Sequence, residues 1–265
     1  MATWNRVATR PMAEIVAELN QANTLTFAEP RPGIGLMSVN RPDRGNSQTI
    51  EMFGEIAWYA HTLRKAPLRA LIITGAGGAT FCTGFDLAEV AVIAKMTIPE
   101  FNELVDTASA GTSGLRSLTC PVIAAISGPV AGGGLSLALS ADIRLADQSA
   151  SFSAGFVRVG LSIGELGASW HLSRVVGPAH GAEIAFTGRT VKIDEAVRIG
   201  LANRIVPDGD DVVTAAVELA ETIAGNGAEG IRATKNSLIR NAEVSSFLAA
   251  LELENRSQVV CRTTT

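Results

Sequence analysis

Residues 122–146 read VIAAISGPVAGGGLSLALSADIRLA. Five apolar residues run into Ser127-Gly128-Pro129, three glycines follow at 132–134, and a second apolar stretch ends at Asp142. An apolar run of five bounded by Gly and Pro fits a strand buried on both faces. The stretch from 134 to 140 starts a helix, and 142–146 returns as a strand. No charged residue occurs between Arg116 and Asp142, a length that could cross a bilayer. Pro121, Pro129, four glycines and the serines at 127, 136 and 140 argue instead for strand, turn and helix inside a folded protein.

Working outward, the same alternation continues upstream. A strand is expected at 34–40, a polar Pro/Gly turn, a helix at 48–65, a strand at 70–74 ending in GAGG, and a helix at 98–118. Strand–helix–strand order of this kind implies an α/β layer with crossover helices. Past residue 166 the pattern turns helical, at 166–176, 180–186, 193–199, 211–224, 229–240 and 242–260, with one extended piece at 202–206. Short helices are marginal alone, so this tail needs a neighbour to cover it. We read 1–200 as the core and 201–265 as a helical C-terminal region.

Composition narrows the function classes. The 265 residues are 47% hydrophobic and 18% charged, enough for a large core and against disorder. The 22 basic against 26 acidic residues leave a net charge of −4, with no Lys/Arg block to suggest a nucleic-acid partner. Cys82, Cys120 and Cys261 are too scattered for a disulfide framework or a zinc site. His61 and His180 have no local Cys or His partner, so no metal is expected. The opening MATWNRVATRPMAEIV lacks the apolar core and cleavage site of a signal peptide. A reducing, cytoplasmic compartment and no membrane attachment are expected.

Two glycine segments carry chemical content. Gly75–Leu87 reads GAGGATFCTGFDL; Thr80 stands where a dinucleotide fingerprint needs its third glycine. Taken by itself, this segment reads better as an ordinary tight turn. Gly128–Ser136 reads GPVAGGGLS and opens a helix, where free N–H groups suit an anion or a developing oxyanion. Close helix packing is the other reading of the triplet. No Gly-Lys-Ser/Thr follows, so this is not a P-loop.

Taken in order, these segments resemble the crotonase superfamily, the enoyl-CoA hydratase/isomerase family. Asn40-Arg41-Pro42-Asp43 with Asn46, residues 121–128 (PVIAAISG), Ala141-Asp142-Ile143-Arg144, Gly160-Leu161, 173–177 (SRVVG) and 186–207 (FTGRTVKIDEAVRIGLANRIVP) extend the match along most of the chain. The resemblance implies an α/β spiral of ββα units, followed by a helical region that builds trimers, often paired into hexamers. It implies an acyl-CoA thioester as substrate partner, with CoA part of that substrate and no separate cofactor. The N–H groups of Phe85, just after Gly84, and of Gly133, beside Gly132, would hold the thioester oxygen as it becomes an enolate. Backbone around Phe81, Cys82 and Thr83 would meet the adenine. Arg44 would face a CoA phosphate, and Asn46, Asp86 and Leu87 belong to the same binding loops. Asp86 is read as capping or orienting its loop.

The chain departs from the hydratase pattern where it matters most. The two glutamates that position water and deliver a proton would fall at Ser136 and Phe156, and neither is a carboxylate. Those two residues are expected in the acyl pocket. Glu165, in LSIGELGASW, aligns with a position that carries the catalytic acid in other branches, and its apolar neighbours would raise its pKa if it is buried. Glu89 is a second candidate acid; His171 reads as a core or surface histidine. One carboxylate suffices to move a proton between two carbons, so double-bond isomerisation leads, with hydration next. Displacement at the acyl group, as in a hydrolase or dehalogenase, and acyl-CoA binding without chemistry remain open alternatives. The family commonly adds a Lys/Arg-rich helix after this point. The chain stops at Arg262-Thr263-Thr264-Thr265, so CoA contacts from such a helix are expected to be missing or replaced.

Overall fold

The computed structural model describes residues 10–264. Residues 1–9, which open the stretch tested above for a signal peptide, and Thr265 lie outside the described residues. The chain begins with α1 (Met12–Leu19) and an antiparallel pair, β1 (Leu25–Arg31) and β2 (Ile34–Val39). Then come α2 (Ile50–Leu63), β3 (Ala70–Gly75), α3 (Val90–Ile93), α4 (Ile98–Arg116) and β4 (Val122–Ile126). β5 (Pro129–Ala131), α5 (Gly133–Ser140), β6 (Ile143–Ala146) and β7 (Ser151–Ser153) follow. The remainder is α6 (Ala168–Val176), α7 (Pro178–Thr187), β8 (Thr190–Lys192), α8 (Ile193–Arg198), β9 (Arg204–Ile205), α9 (Val212–Ala224), α10 (Ala228–Asn241) and α11 (Phe247–Thr264).

The main sheet has the order β1-β2-β3-β4-β6-β9 and is parallel from β2 onward. A smaller sheet, β5-β7-β8, stands beside it. The apolar runs explain the layering, because a strand sends alternate residues to opposite faces. Ala70 and Ile72 of β3 and Ile123 and Ala125 of β4 pack with Val212, Ala216 and Ala220 of α9. Leu71, Ile73, Val122, Ala124 and Ile126 face the large inner core with Tyr59, Leu115 and Leu139. The helical region as a separate layer therefore begins at α10, not at residue 201: β9 completes the sheet and α9 covers its outer face.

α10 and α11 lie against one another, and α10 is tied to the sheet by a charge. Lys235, only 6% exposed, donates to the Cys120 carbonyl at 2.8 Å and meets Asp142 Oδ2 at 2.7 Å. That same Asp142 oxygen accepts the Val122 N–H at the head of β4.

Helix ends follow their caps. Thr49 accepts the Met52 N–H, so α2 starts at 50 rather than 48. Thr97 and Glu100 form a reciprocal capping box on α4. The helix expected from 166 starts at Ala168, because Leu166 and Gly167 have φ of +50° and +81°. The one expected over 242–260 breaks at 242–246, where the Ser246 hydroxyl accepts the Ala249 N–H. Among the described residues no helix is long and apolar enough to cross a membrane, and no group of three His, Cys, Asp or Glu is placed to hold a metal ion.

Candidate active site

The two glycine segments meet. Cys82 forms a parallel bridge with Val130 of β5, and Phe85 forms one with Gln48. Cys82 donates to Pro129 and accepts from Ala131. Gln48 donates to the Gly84 carbonyl and accepts from the Asp86 N–H, both at 2.7 Å. In this bridge the main-chain bonds fall on either side of Phe85, so its own N–H points away from Gln48. A Cβ on Gly84 would stand 2.8 Å from the Ala131 carbonyl and 3.2 Å from the Gly133 nitrogen. Gly84, with φ of +90°, thus packs closely against the start of α5. The N–H groups of Phe85 and Gly133 meet no acceptor among the described residues.

The glycine triplet has a steric reason. Gly132 has φ of +52° and ψ of −126°, a conformation open to glycine. A Cβ on Gly134 would collide with the Cys82 carbonyl oxygen, and one on Gly133 with the Gln48 side chain. Close packing, one of the two readings of the triplet given above, is met at Gly133 and Gly134. The Phe85 ring stacks on Phe53 at 6.0 Å, in an apolar cluster with Leu104, Ala108, Ile93, Met96 and Leu166.

Several binding-loop residues hold the loop's shape. Asn46 is fully buried at φ of +53°; its Oδ1 accepts the Arg41 N–H and its Nδ2 donates to Ala76 and Thr80 carbonyls. Its side chain is spent within the protein, so it shapes the loop instead of reaching outward. Asp86 pairs with Arg41 at 2.8 Å and caps the Ala88 N–H; the amide first, then the guanidinium, holds its carboxyl below the usual range. Thr83 gives both its N–H and its hydroxyl to the Gly45 carbonyl. Phe81 and Cys82 are buried, and burial pushes the Cys82 thiol up to about 12, which keeps it protonated and inert. Arg44 is exposed and makes no ion pair among the described residues, and Leu87 is exposed.

The acids divide sharply. Glu89 does not offer a free carboxylate: its Oε2 accepts the Ile50 N–H at 2.7 Å, capping α2. Glu165 is half-buried, and its carboxyl has no hydrogen-bond or ion-pair partner among the described residues. Burial alone pushes its pKa above the usual carboxylate range. Its main-chain carbonyl accepts the Ser136 hydroxyl at 3.4 Å, which docks the acid's loop on α5, three residues past Gly133. Leu166, at positive φ without being glycine, marks local strain directly beside the acid. Ser136 and Phe156 are both buried. His171 is buried too; desolvation and then Arg116, Arg144 and Arg174 push it down to about 4, so it is neutral.

Arg41, Gln48 and the cap made by Glu89 had no assigned role in the sequence reading. A cavity of about 520 Å³ lies elsewhere, between Ser117–Thr119 and the α10–α11 pair, and no glycine-segment residue lines it.

The sequence pattern of the enoyl-CoA hydratase/isomerase family matches residues 29–264. The chain belongs to this family. A probable enoyl-CoA hydratase of Mycobacterium tuberculosis is 37% identical over 262 residues, covering 96% of this chain and 90% of the relative. A putative enoyl-CoA hydratase from Streptomyces coelicolor superposes with a TM-score of 0.88 at 32% identity, over 99% of this chain and 92% of that one. A putative enoyl-CoA hydratase from Thermobifida fusca, solved in complex with CoA, gives 0.84 at 26% identity over 98% of both chains. A putative enoyl-CoA hydratase from Thermobifida fusca solved in complex with acetoacetyl-CoA gives 0.83 at 26% identity over 94% of this chain and 98% of that one. The fold is therefore crotonase-like and α/β, and the protein is an acyl-CoA enzyme of the hydratase/isomerase family.

Proposed function

We propose that this enzyme moves a carbon–carbon double bond within an enoyl-CoA thioester. The thioester oxygen is held by the Phe85 and Gly133 N–H groups, and Glu165 carries the proton. Two preorganised donors facing developing charge in a dry site contribute ~3–4 kcal/mol each, and the start of α5 adds its dipole at Gly133. Glu165, as carboxylate, takes a proton from C2 of a 3-enoyl thioester; the electrons move into the thioester as an enolate. Glu165 then returns the proton at C4 as the double bond closes between C2 and C3. Arg44 meets a CoA phosphate, the loop at 81–83 the adenine, and Ser136, Phe156 and the Phe53–Phe85 cluster line the acyl side. The observation that carries this reading is the uncommitted, half-buried Glu165 carboxyl with its raised pKa.

A second reading, hydration, is favoured by the names of the relatives. It needs a second acid, and Ser136 and Phe156 supply none. The two separate in a mass-resolved assay on 2-enoyl, 3-enoyl and dienoyl-CoA thioesters in heavy-oxygen water. Unchanged mass with a shifted double bond, lost in Glu165→Gln, supports isomerisation. A product heavier by one labelled water overturns it in favour of hydration. Released CoA would point to displacement, and binding without turnover to a carrier.

We also propose that copies assemble as a homotrimer, or as a hexamer of two trimers, through the C-terminal helices. Leu238 of α10 and Phe247, Leu248 and Val259 of α11 are 64–75% exposed, an apolar surface that a monomer would leave in water. Sedimentation that gave a monomer at micromolar concentration would refute this.

A further inference from the structure

Gln48 touches both halves of the paired N–H arrangement, and it does so in two different ways. Its main chain brackets Phe85, through the two 2.7 Å bonds to Gly84 and Asp86. Its side chain lies against Gly133: Oε1 occupies the space that a Cβ on Gly133 would need, and Nε2 points at the Gly133 carbonyl at 3.4 Å. The residue is 1% exposed, yet Oε1 has no hydrogen-bond partner among the described residues. A buried amide oxygen left unpaired is destabilising, and an apolar side chain of the same length would avoid it. Fold stability therefore does not account for an amide here, whereas contact with the first peptide of α5 does.

We propose that Gln48 is a positioning residue that sets the spacing and tilt of the Phe85 and Gly133 N–H groups. This rests on the reading of those two groups as the thioester-oxygen site. The side chain acts as a spacer between two backbones that share no direct hydrogen bond at this point. Its Nε2 restrains the Gly133 carbonyl, and its Oε1 rests on the Gly133 Cα–H as a weak contact. Through the bracket on Phe85, any shift of Gln48 moves the other donor as well.

The test reads the donors without needing the natural substrate. Acetoacetyl-CoA ionises to an enolate with its own ultraviolet band, and aligned donors lower its apparent pKa on binding. Titration of the bound ligand is compared for the wild-type enzyme, Gln48→Leu and Gln48→Met, alongside the Kd for butanoyl-CoA and the Tm. The expected result is a pKa raised toward that of free ligand by about one pH unit in both variants, tenfold in the enolate ratio. The butanoyl-CoA Kd stays within about threefold and Tm is unchanged or higher. A wild-type pKa depression retained in full by the variants overturns the role of Gln48 and leaves the oxygen-site reading standing. No depression in the wild-type enzyme overturns that reading and this proposal with it. If Gln48→Leu fails to fold, the methionine variant, longer and more flexible, carries the comparison.

Discussion

Gly84, Phe85 and Gly133 are fixed by main-chain bonds that run between distant parts of the chain, 48 to 84 and 86, and 82 to 129 and 131. Glu165 stands on a segment whose hydrogen bonds are local, Leu161 to Phe156, Gly164 to Ser162 and Ala168 to Glu165, apart from the 3.4 Å link from Ser136. One half of the site is made of peptide groups that no side-chain replacement removes; the other hangs on a single side chain on a lightly tethered loop. In the proposed site the peptide donors can stay while the acid changes, which fits one fold hosting several reactions.

Removing the acid alone separates the halves most sharply. Glu165→Gln is expected to slow double-bond isomerisation by about 10³-fold, with the calorimetric Kd for a saturated acyl-CoA within about twofold. A comparable loss of binding would mean that the two halves are not independent. The converse break is Gly134→Ala, whose methyl meets the Cys82 carbonyl, a main-chain atom with little freedom to move. It should lower stability in urea by about 2–3 kcal/mol and weaken acyl-CoA binding along with turnover.

Asp86→Asn tests how far the oxygen site depends on its loop anchor. By weakening the ion pair with Arg41, it should cost about 1 kcal/mol at pH 7. The Asp86 carboxyl is held below its ordinary pKa, so its contribution is present above the usual carboxylate range and lost as pH falls through the lowered value. The difference between wild type and variant in urea midpoints should therefore narrow and close as pH falls below the ordinary carboxylate range. The smallest effect has the opposite sign. Glu165 has a raised pKa, so the folded state is favoured while it is protonated, and that advantage is lost as pH rises through the folded value. Glu165→Gln should raise Tm by about 1–2 °C at pH 8 and by nothing measurable near pH 4.

The sheet was readable because its strands are buried on both faces: 70–74 and 122–126 announce themselves as unbroken apolar runs, and the triplet at 132–134 marks the turn into α5. β5, β7 and β8 were not seen; three residues each, they exist only because a partner lies alongside. β1 carries Glu29 and Pro30 and reads as a loop until β2 folds back on it. In the candidate site, Phe85, Gly133 and Glu165 could be named from motif position. The use of Asn46, Glu89 and Gln48 could not, because a hydrogen-bond partner thirty or more residues away leaves no local trace. Glu89 illustrates this: its sequence neighbourhood suits a reactive acid, and only the fold brings the Ile50 amide to it.

Lys235 has a consequence for how the molecule comes apart. Its ammonium is buried against Asp142 and the Cys120 carbonyl, and Asp142 also holds the first N–H of β4. Peeling α10 from the body would strand a carboxylate at the strand that leads into the glycine turn, or draw water to it. Amide hydrogens of α10 near Lys235 should then exchange with those of β4 in one cooperative opening, instead of fraying independently as a terminal helix does. Protection against exchange would extend from the sheet into the C-terminal pair.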